Sequence, residues 1–197
     1  MSHVAVQQTK PGEPMFADLE ALKMACDMLG LEIEVRSNYA WFNRHMGDYP
    51  LPAGMKANEL GNNAKFVVKL TEATASKRAD TSHIPYEIGM VEDPNNPGCY
   101  TPIYDFWAGG YGLEETVGAP LFEGKDTRKV QMLCPKLKQF YDMCCDKLAA
   151  QQAGDNIQFL TAKDAHEKYP LLFPNPTNDV DTWVSIADTE NRIRSSI

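Results

Sequence analysis

The sequence predicts an α+β fold built on an antiparallel or mixed sheet, and three observations carry that prediction. Period-2 alternation recurs in several short runs, and helical spacing of three and four recurs in two longer ones. Dense turn signals keep many of the connections short, which favours strands returning antiparallel over a run of parallel crossovers.

Taken in order, Val4 and Val6 alternate with Ala5 and Gln7 in a first strand that runs into the breaker Pro11-Gly12-Glu13-Pro14. From Ala17 to Leu29 the residues Leu19, Leu22, Cys26 and Leu29 form a helical stripe, with acids in the first turn and Gly30 at the C-cap position. Leu31, Ile33 and Val35 then alternate with Glu32, Glu34 and Arg36, as a strand with one buried face does. Residues 37–63 break the pattern and predict an irregular insertion, longer than an ordinary connection. Strand character returns over Lys65–Leu70, and Thr71–Ser82 is expected to be a loop or frayed hairpin arm. Tyr86–Val91 and Tyr100–Trp107 flank Asp93-Pro94-Asn95-Asn96-Pro97-Gly98 and predict a hairpin. Beyond Gly109-Gly110-Tyr111-Gly112 and a loop through Pro120, a stripe of Val130, Leu133, Leu137, Tyr141, Cys144 and Leu148 marks a second helix. Pro135 fits the first turn of that helix better than its interior, so the helix should begin near Cys134. Ile157–Leu160 predicts a last short strand. The resulting order of elements is ferredoxin-like, with both helices packed on one face of the sheet. Residues 1–169 are expected to form a single domain, and 170–197 an irregular C-terminal tail packed on that domain or on a partner.

Composition narrows the function classes. The chain has 197 residues, of which 43% are apolar and 23% charged, so it is neither a disordered polyelectrolyte nor a disulfide-only scaffold. Asp and Glu number 27 against 19 Lys and Arg, and a net charge of −8 disfavours nucleic acid and anionic membranes as partners. No apolar run reaches membrane-spanning length, the N-terminus lacks a signal-peptide pattern, and five cysteines without C-x-x-C spacing fit a reducing compartment. A cytoplasmic protein is the expectation.

The opening Met1-Ser2-His3, Thr9, the run Asp18–Lys23 leading to Leu29-Gly30, the strand Tyr86–Gly89 and the strand Tyr100–Trp107 resemble the Ycf35-like family in their order. That family comprises small proteins of unknown function from plastid and cyanobacterial genomes, with related domains in bacteriophages. The resemblance covers about half the chain and implies a phage setting, with no catalytic residues to transfer. The insertion at 37–63 and the tail after Pro170 have no counterpart in it.

Three groups of side chains are candidate sites. The run Tyr104-Asp105-Phe106-Trp107-Ala108-Gly109-Gly110-Tyr111-Gly112 could bring backbone N–H groups to an anion and stack an aromatic ring on a ligand. The alternative is that Phe106 and Trp107 anchor the core while the glycines release the chain from the sheet. Trp41-Phe42-Asn43-Arg44-His45 would make an interface hot spot if exposed and a lid on the sheet if buried. Lys125 and Arg128, with Lys129, are either an anion or partner contact or the charged flank of the second helix. The histidines are too scattered for a zinc site, and no nucleophile motif is present, so neither a metal nor a cofactor is expected. These features point to a noncatalytic phage accessory protein holding a partner protein or a small anionic ligand. A virion-associated structural protein is the second reading. An enzyme acting on a nucleotide-like substrate is the third, and it would need Asp105, His45 or His83 gathered in one cleft.

Overall fold

The computed structural model describes residues 3–41, 51, 54–125 and 129–187, and the chain divides into two compact units between Asp142 and Met143. The first unit carries β1 (Val4–Val6), α1 (Leu19–Leu29), β2 (Leu31–Glu34), β3 (Phe66–Leu70), α2 (Glu72–Ala75), β4 (Ile88–Glu92), β5 (Tyr100–Asp105), α3 (Gly109–Val117), β6 (Leu121–Phe122) and β7 (Val130–Met132). The long helix α4 (Pro135–Gln152) begins there and ends in the second unit, which holds β8 (Ile157–Thr161), α5 (Ala162–Lys168) and β9 (Trp183–Ala187).

Asp18 starts α1 by accepting hydrogen bonds from the N–H groups of Glu20 and Ala21, and Gly30 ends it in the left-handed conformation. The turn delivers the chain directly into β2. Five strands form one sheet in the order β1-β5-β4-β3-β2, antiparallel at every pairing. This decides between the antiparallel and mixed alternatives. Because side chains alternate across a sheet, Val4, Val6, Val67, Val91 and Ile103 share one face, where they form a core with Tyr39, Leu60 and Ala64. The described part of the insertion therefore covers this face, and its base is pinned by Arg36, whose guanidinium binds both carboxylate oxygens of Glu87 at 2.9 and 2.6 Å. Glu87 also accepts the Ala40 N–H at 2.7 Å. Tyr39 lies so close to β4 that a Cβ on Gly89 would sit 2.7 Å from its ring, which explains a glycine in the middle of a buried strand.

The turn between β4 and β5 is organised by a buried carboxylate. Asp93 accepts from Thr9 Oγ1 at 2.7 Å, the Asn95 N–H at 2.9 Å and Asn96 Nδ2 at 2.8 Å. Asn96 then accepts the Gly12 N–H at 2.7 Å and donates to the Lys10 carbonyl at 2.9 Å. A buried charge is tolerable only with its lone pairs occupied, and here the same bonds tie the hairpin tip to the N-terminal loop.

Elements beyond the sequence expectations are short. The segment read as a loop at 71–82 contains α2, capped by Thr71, and the glycine-rich patch feeds α3. α4 starts at Pro135, as its place in a first turn predicts, while Val130 of the expected stripe belongs to β7. The stretch after Pro170 is not wholly irregular, since β9 pairs with β8 over five residues, Ile157 opposite Ala187 through Thr161 opposite Trp183. Among the described residues no helix is long and apolar enough to cross a membrane.

Candidate binding surface

The glycine-rich run leaves the sheet through a left-handed turn. Asp105 ends β5 fully buried, and its carboxylate accepts the N–H groups of His3 at 2.8 Å and Trp107 at 2.9 Å, bending the chain at once. Five consecutive residues then have positive φ: Ala108 at 51°, Gly109 at 64°, Gly110 at 57°, Tyr111 at 51° and Gly112 at 93°. Bonds from Gly109 to Phe106, Gly110 to Trp107 and Tyr111 to Ala108 close the turn with three-residue spacing. An L-residue pays about 1–2 kcal/mol in this region, so the three glycines make the turn possible while Ala108 and Tyr111 remain strained.

Three contacts hold that conformation. The Tyr86 N–H donates to the Gly110 carbonyl at 3.0 Å. Arg78 donates to the carbonyl oxygens of Tyr111, His83 and Ala75, tying the turn to the segment after α2. Its aliphatic stem runs so close to Gly112 that a Cβ there would lie 2.6 Å from the Arg78 Cδ. As a result the Tyr111 ring stacks on His83, with centroids 4.5 Å apart and planes at 17°, and meets Tyr86 edge-on at 5.1 Å. His83 Nδ1 lies 2.8 Å from Asp80, whose carboxyl is held well below its usual range by hydrogen bonds from Ser82 and His83. Ile84, next in sequence, is 83% exposed. At the start of the turn Trp107 is 38% exposed and stacks on His3 with centroids 5.1 Å apart and planes at 5°.

Behind the turn lies a group of buried titratable side chains. Burial pushes the Glu114 carboxyl up to about 7, against the opposing pull of the Tyr104 hydroxyl. The Tyr104 hydroxyl and Glu114 Oε1 are both shut off from solvent without a well-formed hydrogen bond. Burial also pushes the Tyr104 hydroxyl and the Cys134 thiol well above their ordinary values. A nucleophilic cysteine needs the reverse shift and access to substrate, and Cys134 is fully buried.

The structure thus brings Asp105, Trp107, Gly109, Gly110 and Tyr111 into one turn, with Asp105 as its buried anchor rather than an exposed group. Trp41 is half-buried, lies against Gly61 and packs on the core beneath the insertion. Phe42, Arg44, His45 and Arg128 lie outside the described residues. Lys125 stands exposed between β6 and β7. Tyr86 and Arg78 were not expected beside the turn, and His83 was considered with Asp105 only under the enzyme reading; the one hint of an anchor was the presence of three glycines around a tyrosine. A separate cavity of about 240 Å³ opens between the insertion and the hairpin, lined by Met55, Glu59, Asn63, Lys65, Val91 and Glu92 among others. Among the described residues no three His, Cys, Asp or Glu side chains are placed to hold a metal ion. No family model, no curated protein and no solved structure matches the chain.

Proposed function

We propose that the chain is a noncatalytic binding protein whose partner protein docks on the aromatic surface built by the left-handed turn. The phage setting and accessory role implied by the Ycf35-like resemblance belong to the same proposal. The observation that carries it is the run of five positive φ angles that holds the Tyr111–His83 stack, with Ile84 beside His83 in sequence and Trp107 at the start of the turn both exposed. Backbone strain of this kind persists where surrounding contacts over-determine it, and it concentrates at binding and switch regions. Planar, half-exposed aromatic groups held rigid at a surface lose little entropy on binding and make good hot spots.

A comparative pull-down tests this reading. The wild-type chain and two folded variants, Ile84→Asp and Trp107→Ala, are used as bait in the same extract, and the captured proteins are quantified. One protein retained by the wild type and lost by both variants supports the proposal. The same set of proteins on all three baits overturns it.

A second reading is favoured by the cavity under the insertion. Its volume suits a small molecule, and Lys65, which pairs with Glu92 at 3.3 Å, gives it a cation beside the acids Glu59 and Glu92. A small ligand carrying a carboxylate would compete with Glu92 for the Lys65 ammonium. Chemical-shift mapping with acetate and glycine as probes checks it: shifts confined to Asn63, Lys65 and Val91 support this reading, and unshifted signals there rule it out.

A further inference from the structure

The helical part of α3 is a single short segment, Leu113–Val117, set between two glycines. Gly112 at φ 93° precedes it and Gly118 at φ 85° follows it, so both ends join the rest of the chain through residues that change φ at little steric cost. The Gly118 N–H closes the segment on the Glu114 carbonyl at 2.9 Å. Leu113 and Val117 are fully buried. Glu114 sends its carboxyl inward as well: Oε1 is shut off from solvent, and Oε2 lies 3.7 Å from where a Cβ on Gly109 would stand.

The groups that meet this carboxyl do not neutralise a charge. β5 presents the Tyr104 hydroxyl, itself buried without a well-formed hydrogen bond, and the start of α4 presents the Cys134 thiol, with Cys26 of α1 near it. Asp105, beside Tyr104, is occupied by the N–H groups of His3 and Trp107. Glu115 is exposed and reaches the Ala79 N–H instead. Arg78, whose stem touches Gly112, directs its donors to the carbonyl oxygens of Ala75, Tyr111 and His83. Among the described residues no cation acts on Glu114: burial disfavours its ionised form, and the Tyr104 hydroxyl alone favours it. A protonated carboxyl suits such a place, whereas a carboxylate there is a buried charge with one donor.

We propose that Glu114 makes the Leu113–Val117 segment a proton-dependent latch, which rests against Tyr104 and Cys134 when the carboxyl is protonated and opens locally about Gly112 and Gly118 to bring an ionised carboxylate into water. The left-handed turn before it, held by Arg78 and Tyr86, stays in place. The carboxyl titrates at about 7 in the folded chain and at 4.5 in water, so the opening equilibrium rises with pH between those values and levels off above them. The latch stands whether or not a partner docks on the neighbouring turn.

Hydrogen exchange of the full chain, followed by NMR from about pH 4 to about pH 8 and expressed as protection relative to the intrinsic rate at each pH, tests it. Over that range the Val117 and Gly118 amides of the wild type should lose at least about tenfold in protection. Low urea should leave their opening unchanged while it accelerates exchange at Met90 and Ile103, because a local opening exposes little surface. Glu114→Gln should show no such loss. Tyr104→Phe removes the hydroxyl that favours the carboxylate, so its loss of protection should extend to higher pH. Far-UV circular dichroism checks that each variant folds, and if Glu114→Gln does not, the shift in Tyr104→Phe decides. Protection at Val117 and Gly118 that is flat with pH overturns the proposal, as does a loss shared by Glu114→Gln, a loss unmoved in Tyr104→Phe, or an opening with the urea dependence of the large sheet.

Discussion

In the five-stranded sheet the edge strand β2 alternates Leu31 and Ile33 with Glu32 and Glu34, and those carboxylates bind Lys69 and Arg36 at 2.5–3.2 Å. In the β8–β9 ribbon ten ladder residues carry no charge at all. Burial differs in the same direction. The first unit buries Phe16, Leu22, Ile88, Met90, Ile103, Tyr104, Leu113 and Leu137 almost completely, whereas among the described residues after Asp142 the buried hydrophobics are Cys144 and Ala165. The contrast teaches that the first unit has a packed core able to hold a strained turn in place, while the described residues of the second unit bury far less apolar surface. Strain can be maintained only where packing elsewhere supplies the stability to offset it.

The largest expected effect tests that difference directly. Leu113→Ala, at a fully buried position behind the turn, should destabilise the chain by about 2–5 kcal/mol. Leu160→Ala in β8, where the side chain is half-buried, should cost about 1 kcal/mol, since roughly half the area is removed from water. Urea denaturation of both variants measures the gap. Equal losses would break the comparison.

Removing Arg36 should have the next largest effect. Arg36→Ala leaves the Glu87 carboxylate, 16% exposed, with the Ala40 N–H but without its guanidinium, which should cost about 1–3 kcal/mol. Hydrogen exchange at the Ala40 amide should accelerate more than exchange in β5. An unchanged Ala40 amide would mean that the ion pair does not pin the insertion.

A pH effect comes third. In the folded chain Glu114 is raised from 4.5 to about 7, so the folded state binds its proton more tightly than the unfolded state does. Its stabilising contribution is fully present below about pH 4.5 and is lost as pH rises through 7. For a carboxyl that is only partly buried this amounts to about 1–2 kcal/mol after allowance for solvent screening. Glu114→Gln should flatten the stability profile between pH 4.5 and 7 and be more stable than the wild type above it. Parallel profiles for the two proteins would remove Glu114 as the cause.

The smallest effect concerns the turn. Ala108 is exposed and sits at φ 51°, so Ala108→Gly relieves left-handed strain and should stabilise by about 0.5–1 kcal/mol. The same change at a right-handed helical position would destabilise. A destabilised Ala108→Gly, read from thermal unfolding, would argue against the left-handed turn.

Much of the fold was legible because its cues are local. Asp18 and Gly30 bracket α1, alternation marks β2, a short apolar run marks β3, the Asp93–Gly98 turn marks the hairpin, and Pro135 marks the start of α4. α3 was hidden because glycines lower helix propensity and here serve a left-handed turn. β9 was hidden by the prolines that precede it, and its partner β8 is separated from it by α5 and a long connection. For the site, the Asp105–Gly112 run was visible as a composition anomaly, but its geometry depends on contacts far away in sequence. Arg78 reaches Tyr111 and Asp105 binds the His3 N–H, and neither pairing leaves a mark in local spacing. The contact of Trp41 with Gly61, twenty residues on, likewise leaves no mark in local spacing.

Native-state hydrogen exchange on the full chain in dilute solution tests the central contrast most directly. The amides of Met90, Val91 and Ile103, in the interior of the large sheet, together with Tyr111 in the braced turn, should exchange only through large-scale unfolding. The amides of β8 and β9 should exchange far faster through local opening. Equal protection of the two ladders, or rapid exchange at Tyr111 while the sheet stays protected, would contradict the account.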